Sequence, residues 1–339
     1  MIPHRRRCAL ALGAWVASPW VRGAPAVHRV LHVMSFDSPW RWTDGQWAGF
    51  REGLAEPGLL TEVFKMDVNR HSSAEAKAER ARLALERIQQ WKPDLVYLSD
   101  DDAVAGVAGP LAGSATPLVF SGVNRGLAEH GLSGAANVTG VLEREHVVET
   151  LRLLRALAPG VRRLAVISDG VGYWDTVIAR VRERLAQVDG LELVSLDRVA
   201  SFADYQQRMR RYDTQADAVL QLGIFTLTAA DGSKVPYQDV QRWVAENSRL
   251  PDASFWIDRV HHGTLVSMTV SEVEQGRAAG RLSRAILHEG RAPFSLPVQP
   301  TTKGQPAISL ARARRLGLKP VSSLLLSSEV VRRFAWEQP

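Results

Sequence analysis

Cysteine is nearly missing from this chain: Cys8 stands alone among 339 residues. One thiol excludes a disulfide framework and a multi-cysteine zinc or iron–sulfur centre. A membrane-spanning run is missing as well. The apolar stretch from Cys8 to Val21 is interrupted by Pro19 and is shorter than the roughly 20 residues a helix needs to cross a bilayer. A basic stripe is the third absence. The net charge is +6, but Arg5, Arg6, Arg7 and Arg22 lie in the first 26 residues, and without these four it is +2. The remaining cations are interleaved with acids, as in RERLAQVD, so phosphate tracking and nucleic-acid binding are not expected.

The motifs of common enzyme classes are also lacking. Asp169-Gly170-Val171-Gly172 does not complete a dinucleotide fingerprint, and there is no phosphate loop ending in Lys-Ser or Lys-Thr. Ser121-Gly122 is not the centre of a G-x-S-x-G elbow. His261 and His262 are adjacent, and neighbours in a strand point to opposite faces, which disfavours a shared metal. No catalytic residue, metal or cofactor is expected, and the chain reads as a non-enzyme.

What is present begins with a leader. Basic Arg5–Arg7 precede the apolar run, and Ala24-Pro25-Ala26 supplies the small-residue pattern of a cleavage site. Residues 1–26 therefore read as a secretory signal peptide, with the mature chain in the periplasm. The length suits two domains, and 45% hydrophobic residues suffice for large cores.

The mature chain alternates strand and helix patterns. RVLHVMS reads as a strand and TDGQWAGFREGLAE as a helix, with Trp47, Phe50 and Leu54 at spacings of three and four. LLTEVFKMDV is a strand, and residues 73–90 form a helix whose apolar side is Leu83, Ile88 and Trp91. DLVYLS, the short helix AVAGVAG and the strand PLVFSG follow. The rhythm then repeats: helix HVVETLRLLRALAP, strand RRLAVISDG, helix WDTVIARVRERLAQV, strand LELVSLDRV, helix FADYQQRMRRY, strand ADAVLQLG, a helix over 235–247 and strand ASFWID. TLVSMTV, the helix SEVEQGRAAGRLSRAILHEG, the strand FSLPVQP and the helix LARARRLGL complete the chain. Such alternation predicts an α/β protein with two doubly wound parallel sheets.

Several strings occur in an order that resembles one family. GQWAGFREGLAEPGL, WKPDLVYLS, TPLVFSGV, Asn137-Val138-Thr139-Gly140-Val141, LRLLRALAPGVRRLAVISD, GRAAGRLSRAILHEGRAPFSLPVQP and ARRLGLKP together resemble the periplasmic substrate-binding proteins of ABC transporters, in the branch associated with small organic solutes including aromatic amino acids. The resemblance covers Val27 to Pro320. It implies a type I periplasmic-binding-protein fold, two lobes joined by three crossovers. The expected N-terminal lobe is 27–122 with 263–290, and the expected C-terminal lobe is 123–262 with 291–339. It implies a monomer that takes a small organic solute, amino-acid-like or aromatic, and delivers it to the transmembrane subunits of an ABC permease. A sensor subunit reporting to a membrane histidine kinase is the alternative partner. Ser168–Trp174 and Gly223–Thr226 depart from the family's usual cleft loops, which leaves the ligand open.

Ligand would lie at the carboxyl ends of the strands. The expected contacts are therefore loop residues. Asp37 would accept hydrogen bonds, and Trp40 would stack on a flat ligand part. Asp100 follows the third strand, and Ser121 and Asn124 the fourth. Asp169, Tyr173 and Trp174 occupy a strand–helix junction, Phe225 follows the strand ending in Gly223, and Asp258 would pair with a ligand cation or with Arg259.

Overall fold

The computed structural model describes residues 27–172, 174–301 and 304–337. The expected signal peptide and Tyr173 lie outside the described residues. In chain order the first elements are β1 (Arg29–Met34), α1 (Arg41–Leu54), β2 (Leu60–Lys65), α2 (Ala74–Trp91), β3 (Leu95–Ser99), α3 (Asp100–Ala103), α4 (Gly109–Leu111), β4 (Leu118–Val123) and β5 (Val138–Leu142). A π-helical turn at Val104–Ala108 joins α3 to α4. Next come α5 (Val147–Leu157), β6 (Arg163–Asp169), α6 (Trp174–Leu185), β7 (Glu192–Val199), α7 (Phe202–Gln215), β8 (Ala218–Gln221), α8 (Tyr237–Asn247), β9 (Asp252–Ser254), α9 (Ile257–His261) and β10 (Val266–Val270). The chain closes with α10 (Glu272–Leu287), β11 (Gln299–Pro300), β12 (Gly304–Ser309), α11 (Leu310–Arg315), α12 (Ser322–Leu326) and β13 (Glu329–Val331).

Two sheets result, ordered β11-β5-β4-β3-β1-β2 and β13-β12-β10-β9-β8-β6-β7. Five strands in each follow the same winding, with β1 and β6 as equivalent first strands. Pairing is parallel except between β10 and β12. Both sheets are covered on both faces, as the run of buried residues in β3, β4 and β6 requires. In the first sheet Leu31, Val33, Val96 and Leu98 pack towards Ala81, Ala84 and Ile88 of α2, while Val30, Leu95 and Tyr97 face Phe50, Leu54 and Ala279 of α1 and α10. The side of α2 that packs is therefore built on two alanines, and Leu83 and Trp91 are only half-buried.

Pairing moves the expected lobe limits. β5 adds to β4 in the first sheet, whereas β10 pairs with β9 and β12 in the second. The three crossovers thus fall between β5 and α5, between β10 and α10, and between β11 and β12. A break placed at 122/123 cut β4 itself, because the apolar run PLVFSG ends where a glycine turns the chain and reads as a terminus. ASFWID is corrected as well: β9 stops at Ser254, and Trp256 caps α9 with extended backbone. FSLPVQP gives only the two-residue β11, preceded by a 3-10 turn at Pro293–Ser295.

α10 reaches back to pack against α1 at very short range. Gly45, Gly49 and Gly53 recur every four residues on α1, opposite Gly276 and Gly280 on α10. A Cβ at Gly276 would lie 1.9 Å from the Gln46 carbonyl oxygen, and one at Gly49 would lie 2.1 Å from that of Val273. Only glycine permits two helical backbones to touch in this way.

Candidate functional site

In each sheet the strand order reverses direction beside the first strand: between β1 and β3, and between β6 and β8. The loops that leave these strands diverge there and open a crevice. The two crevices face one another across a cleft whose enclosed free space is about 60 Å³. The first lobe lines it with Phe36, Trp40 and Trp42 after β1, Asp100, Asp101 and Asp102 after β3, and Gly122 and Asn124 at the end of β4. Glu143 enters from the first crossover. Trp174, Phe225, Trp256 and Asp258 come from the second lobe.

Asp100 is the most constrained of these. It has φ +70°, a conformation that costs a non-glycine residue strain. Its buried carboxylate accepts Trp42 Nε1 at 2.7 Å and Gln46 Nε2 at 3.2 Å. Gly122, also at positive φ, leaves room for it: a Cβ there would lie 2.6 Å from Asp100 Oδ1. Burial pushes the Asp100 carboxyl up to about 8. Glu143 is held similarly, accepting Trp256 Nε1 at 2.8 Å and Asn124 Nδ2 at 3.1 Å, and burial holds its carboxyl well above the usual range. Glu143 and Trp256 were not anticipated from the sequence. Their signals were a buried acid in the crossover VLEREH and a tryptophan at a helix start.

Six expected residues converge on the cavity: Trp40, Asp100, Asn124, Trp174, Phe225 and Asp258. Trp40 and Phe225 meet edge-on across the cleft, centroids 5.9 Å apart. Trp174 packs edge-on against Trp256 at 5.6 Å, seated over Gly223, where a Cβ would lie 2.0 Å from its Nε1. Asn124 also joins the lobes: its Oδ1 accepts Arg180 Nη2 at 2.9 Å, while Arg180 forms a two-point pair with Glu145.

Three expected contacts do not line the cavity. Asp37 turns to the rim and pairs with Lys65 at 2.8 Å, whose hydrogen bond holds the carboxyl below its ordinary range. Ser121 Oγ donates to Gln46 Oε1 and lies 2.6 Å from the Tyr97 hydroxyl, beneath the cavity floor. Asp169 is fully buried and accepts the backbone N–H groups of Phe225 at 2.8 Å, Thr226 at 3.2 Å and Val171 at 3.2 Å. It folds the two second-lobe loops together. The shared reason is that each polar group found a protein partner at closer reach than a ligand.

The adjacent histidines take separate protein partners. His261 lies 2.9 Å from Glu329 and His262 Nδ1 lies 2.8 Å from the Asp258 carbonyl oxygen. Among the described residues one group has metal-binding spacing, His28, Glu56 and His288. It sits at the opposite end of β1, and both histidines contact the Glu56 carboxylate directly, at 2.9 and 3.1 Å.

Solved structures share this architecture. A conserved domain protein from Vibrio cholerae superposes with a TM-score of 0.69 at 19% identity, over 91% of this chain and 100% of that one. An ABC domain in complex with L-Trp from Streptococcus pneumonia gives 0.68 at 18% identity, again over 91% and 100%. A ligand-free, open substrate-binding protein with adhesive properties from Clostridium difficile gives 0.68 at 15%, with the same coverage. No curated protein sequence shows a significant match. The two lobes have the type I periplasmic-binding-protein fold. With the family model for the ABC transporter substrate-binding proteins matching residues 33–331, the chain belongs to that family.

Proposed function

We propose that this protein captures a small organic solute between its lobes and presents the closed form to an ABC permease. One observation carries the reading: loops at both switch points converge on a single cavity walled by six aromatic rings and closed by residues of both lobes. Aromatic walls with a few fixed polar groups are how small-molecule sites combine affinity with orientation. Opening about the three crossovers would separate Trp40 from Phe225 and Asn124 from Arg180, so ligand occupancy and lobe closure are linked. The leader would place the protein in the periplasm, and no helix among the described residues is long and apolar enough to cross a membrane. No catalytic role is assigned to the cavity.

The test is titration calorimetry of refolded, ligand-free protein against amino acids, amines, aromatic acids, nucleosides and sugars. It is followed by uptake of the ligand found, in cells with and without the gene. Binding together with gene-dependent uptake is expected. Failure of every soluble metabolite to bind would overturn the reading, and binding without uptake would overturn delivery to a permease.

A further inference from the structure

Acidic residues crowd the cavity while the described basic ones stay out of its lining. Five acids line it, and among the described residues no lysine or arginine does. Three of the acids have basic side chains beside them: Asp101 lies 3.1 Å from His130, Asp102 lies 2.8 Å from Lys77, and Asp258 lies 4.0 Å from Arg259. Asp100 and Glu143 pair with none. Their partners are the neutral donors of Trp42, Gln46, Trp256 and Asn124. The guanidinium of Arg144, beside Glu143, is turned to the backbone carbonyls of Asn124 and Glu143 instead. Burying an acid without a cation is costly, and the strained backbone of Asp100 shows that its placement is imposed by the surrounding structure.

Resting on the reading that this cavity holds the transported solute, we propose that the solute is an organic cation: a flat or apolar body bearing an ammonium or similar positive group, and no carboxylate. The positive group lies against Asp100 and Glu143, where it forms charge-assisted hydrogen bonds. The body fills the space between Trp40, Trp174 and Phe225. A ligand carboxylate would find no lysine or arginine among the described lining residues to pair with. The one buried guanidinium nearby, Arg259, is outside the lining and stacks on aromatic rings, 4.5 Å from the Phe225 centroid and 5.2 Å from that of Tyr237. Without a cation beside them, burial pushes the Asp100 carboxyl up to about 8 and raises that of Glu143 well above its ordinary range. A bound cation opposes that rise, so binding releases protons to solvent.

The experiment pairs ligands that share a body and differ in charge. Tryptamine is compared with L-tryptophan and indole-3-acetate, phenethylamine with phenylalanine and phenylacetate, and glucose and ribose serve as neutral controls. Calorimetry is run at pH 7 in two buffers of different ionisation enthalpy. The amine is expected to bind at least tenfold more tightly than its carboxylate counterpart, with net proton release. Asp100→Asn and Glu143→Gln are each expected to weaken the amine at least tenfold. If either variant fails to fold, the ranking by the unaltered protein decides alone. Tighter binding of a carboxylate, a zwitterion or a sugar overturns the cation proposal and leaves solute capture standing. Failure of the whole series, together with failure of the broader metabolite panel, overturns both.

Discussion

The two lobes wind their strands in the same order, yet they furnish the cleft differently. The first lobe brings charge on a buried polar floor: Asp100 rests on Trp42 and Gln46, Gln46 on Ser121, and Ser121 on Tyr97. The second brings Trp174, Phe225 and Trp256, and its own buried acid, Asp169, is saturated by backbone N–H groups. The acids at the ends of β1 and β6, Asp37 and Asp169, thus bind protein groups, while the acid after β3, Asp100, lines the cavity. A position at a switch point brings a residue near the ligand; the number of closer protein partners decides whether it touches.

The comparison is broken most severely at Trp174. Trp174→Ala removes a fully buried ring from the second lobe and is expected to cost about 3–5 kcal/mol of stability, read as a drop in denaturant midpoint. Retention of the midpoint would mean that the ring does not organise that wall. Asp169→Ala comes next. It strands three half-buried backbone donors, for a loss of about 1–3 kcal/mol in unfolding free energy, with the ligand affinity of the folded fraction changed much less than by Asp100→Asn. Equal affinity losses would erase the distinction between the two acids.

Asp100 gives a smaller, pH-dependent effect. Its folded value of about 8 lies above the unfolded value near 3.9, so the unfolded chain loses the proton first as pH rises. Its contribution is fully favourable below about pH 4 and declines towards pH 8. In Asp100→Asn, the stability lost between pH 5 and pH 8 should shrink by on the order of 2 kcal/mol, and Glu143 retains its own share of the slope. Urea unfolding at the two pH values measures it. The smallest effect is expected at Asp37. Asp37→Ala breaks a partly exposed pair with Lys65, and it should cost less than about 1 kcal/mol and shift affinity under twofold. A tenfold loss of affinity would return Asp37 to the ligand site.

The two-sheet rhythm was legible because strands buried on both faces and helices of period 3.6 leave different marks, as in DLVYLS against WDTVIARVRERL. The cleft loops were legible for the same reason, since they follow the strand ends. Side-chain direction was not. Asp169 and Trp174 lie five residues apart in one loop, and only the distance to the 225–226 backbone separates a brace from a wall. Glu143 was missed because a crossover carries no periodicity, and Trp256 because a three-residue strand running into a short helix looks like one longer strand. The lobe limits were misplaced because β5 and β11 owe their sheet to partners far along the chain.

The glycine contact between α1 and α10 bears on how the polypeptide acquires its shape. α1 ends at Leu54 and α10 begins at Glu272, so an intervening stretch that contains the entire β6–β10 series separates the two halves of one tight contact. A growing chain that has reached residue 270 holds five strands of its first sheet but has no cover for Phe50, Leu54 and Tyr97 on one face. Closing that gap requires a long loop to be paid for in entropy before its contacts form, which slows folding. The half made first therefore stays unfinished until the whole β6–β10 series has been made, and the second sheet in turn waits for β12 and β13.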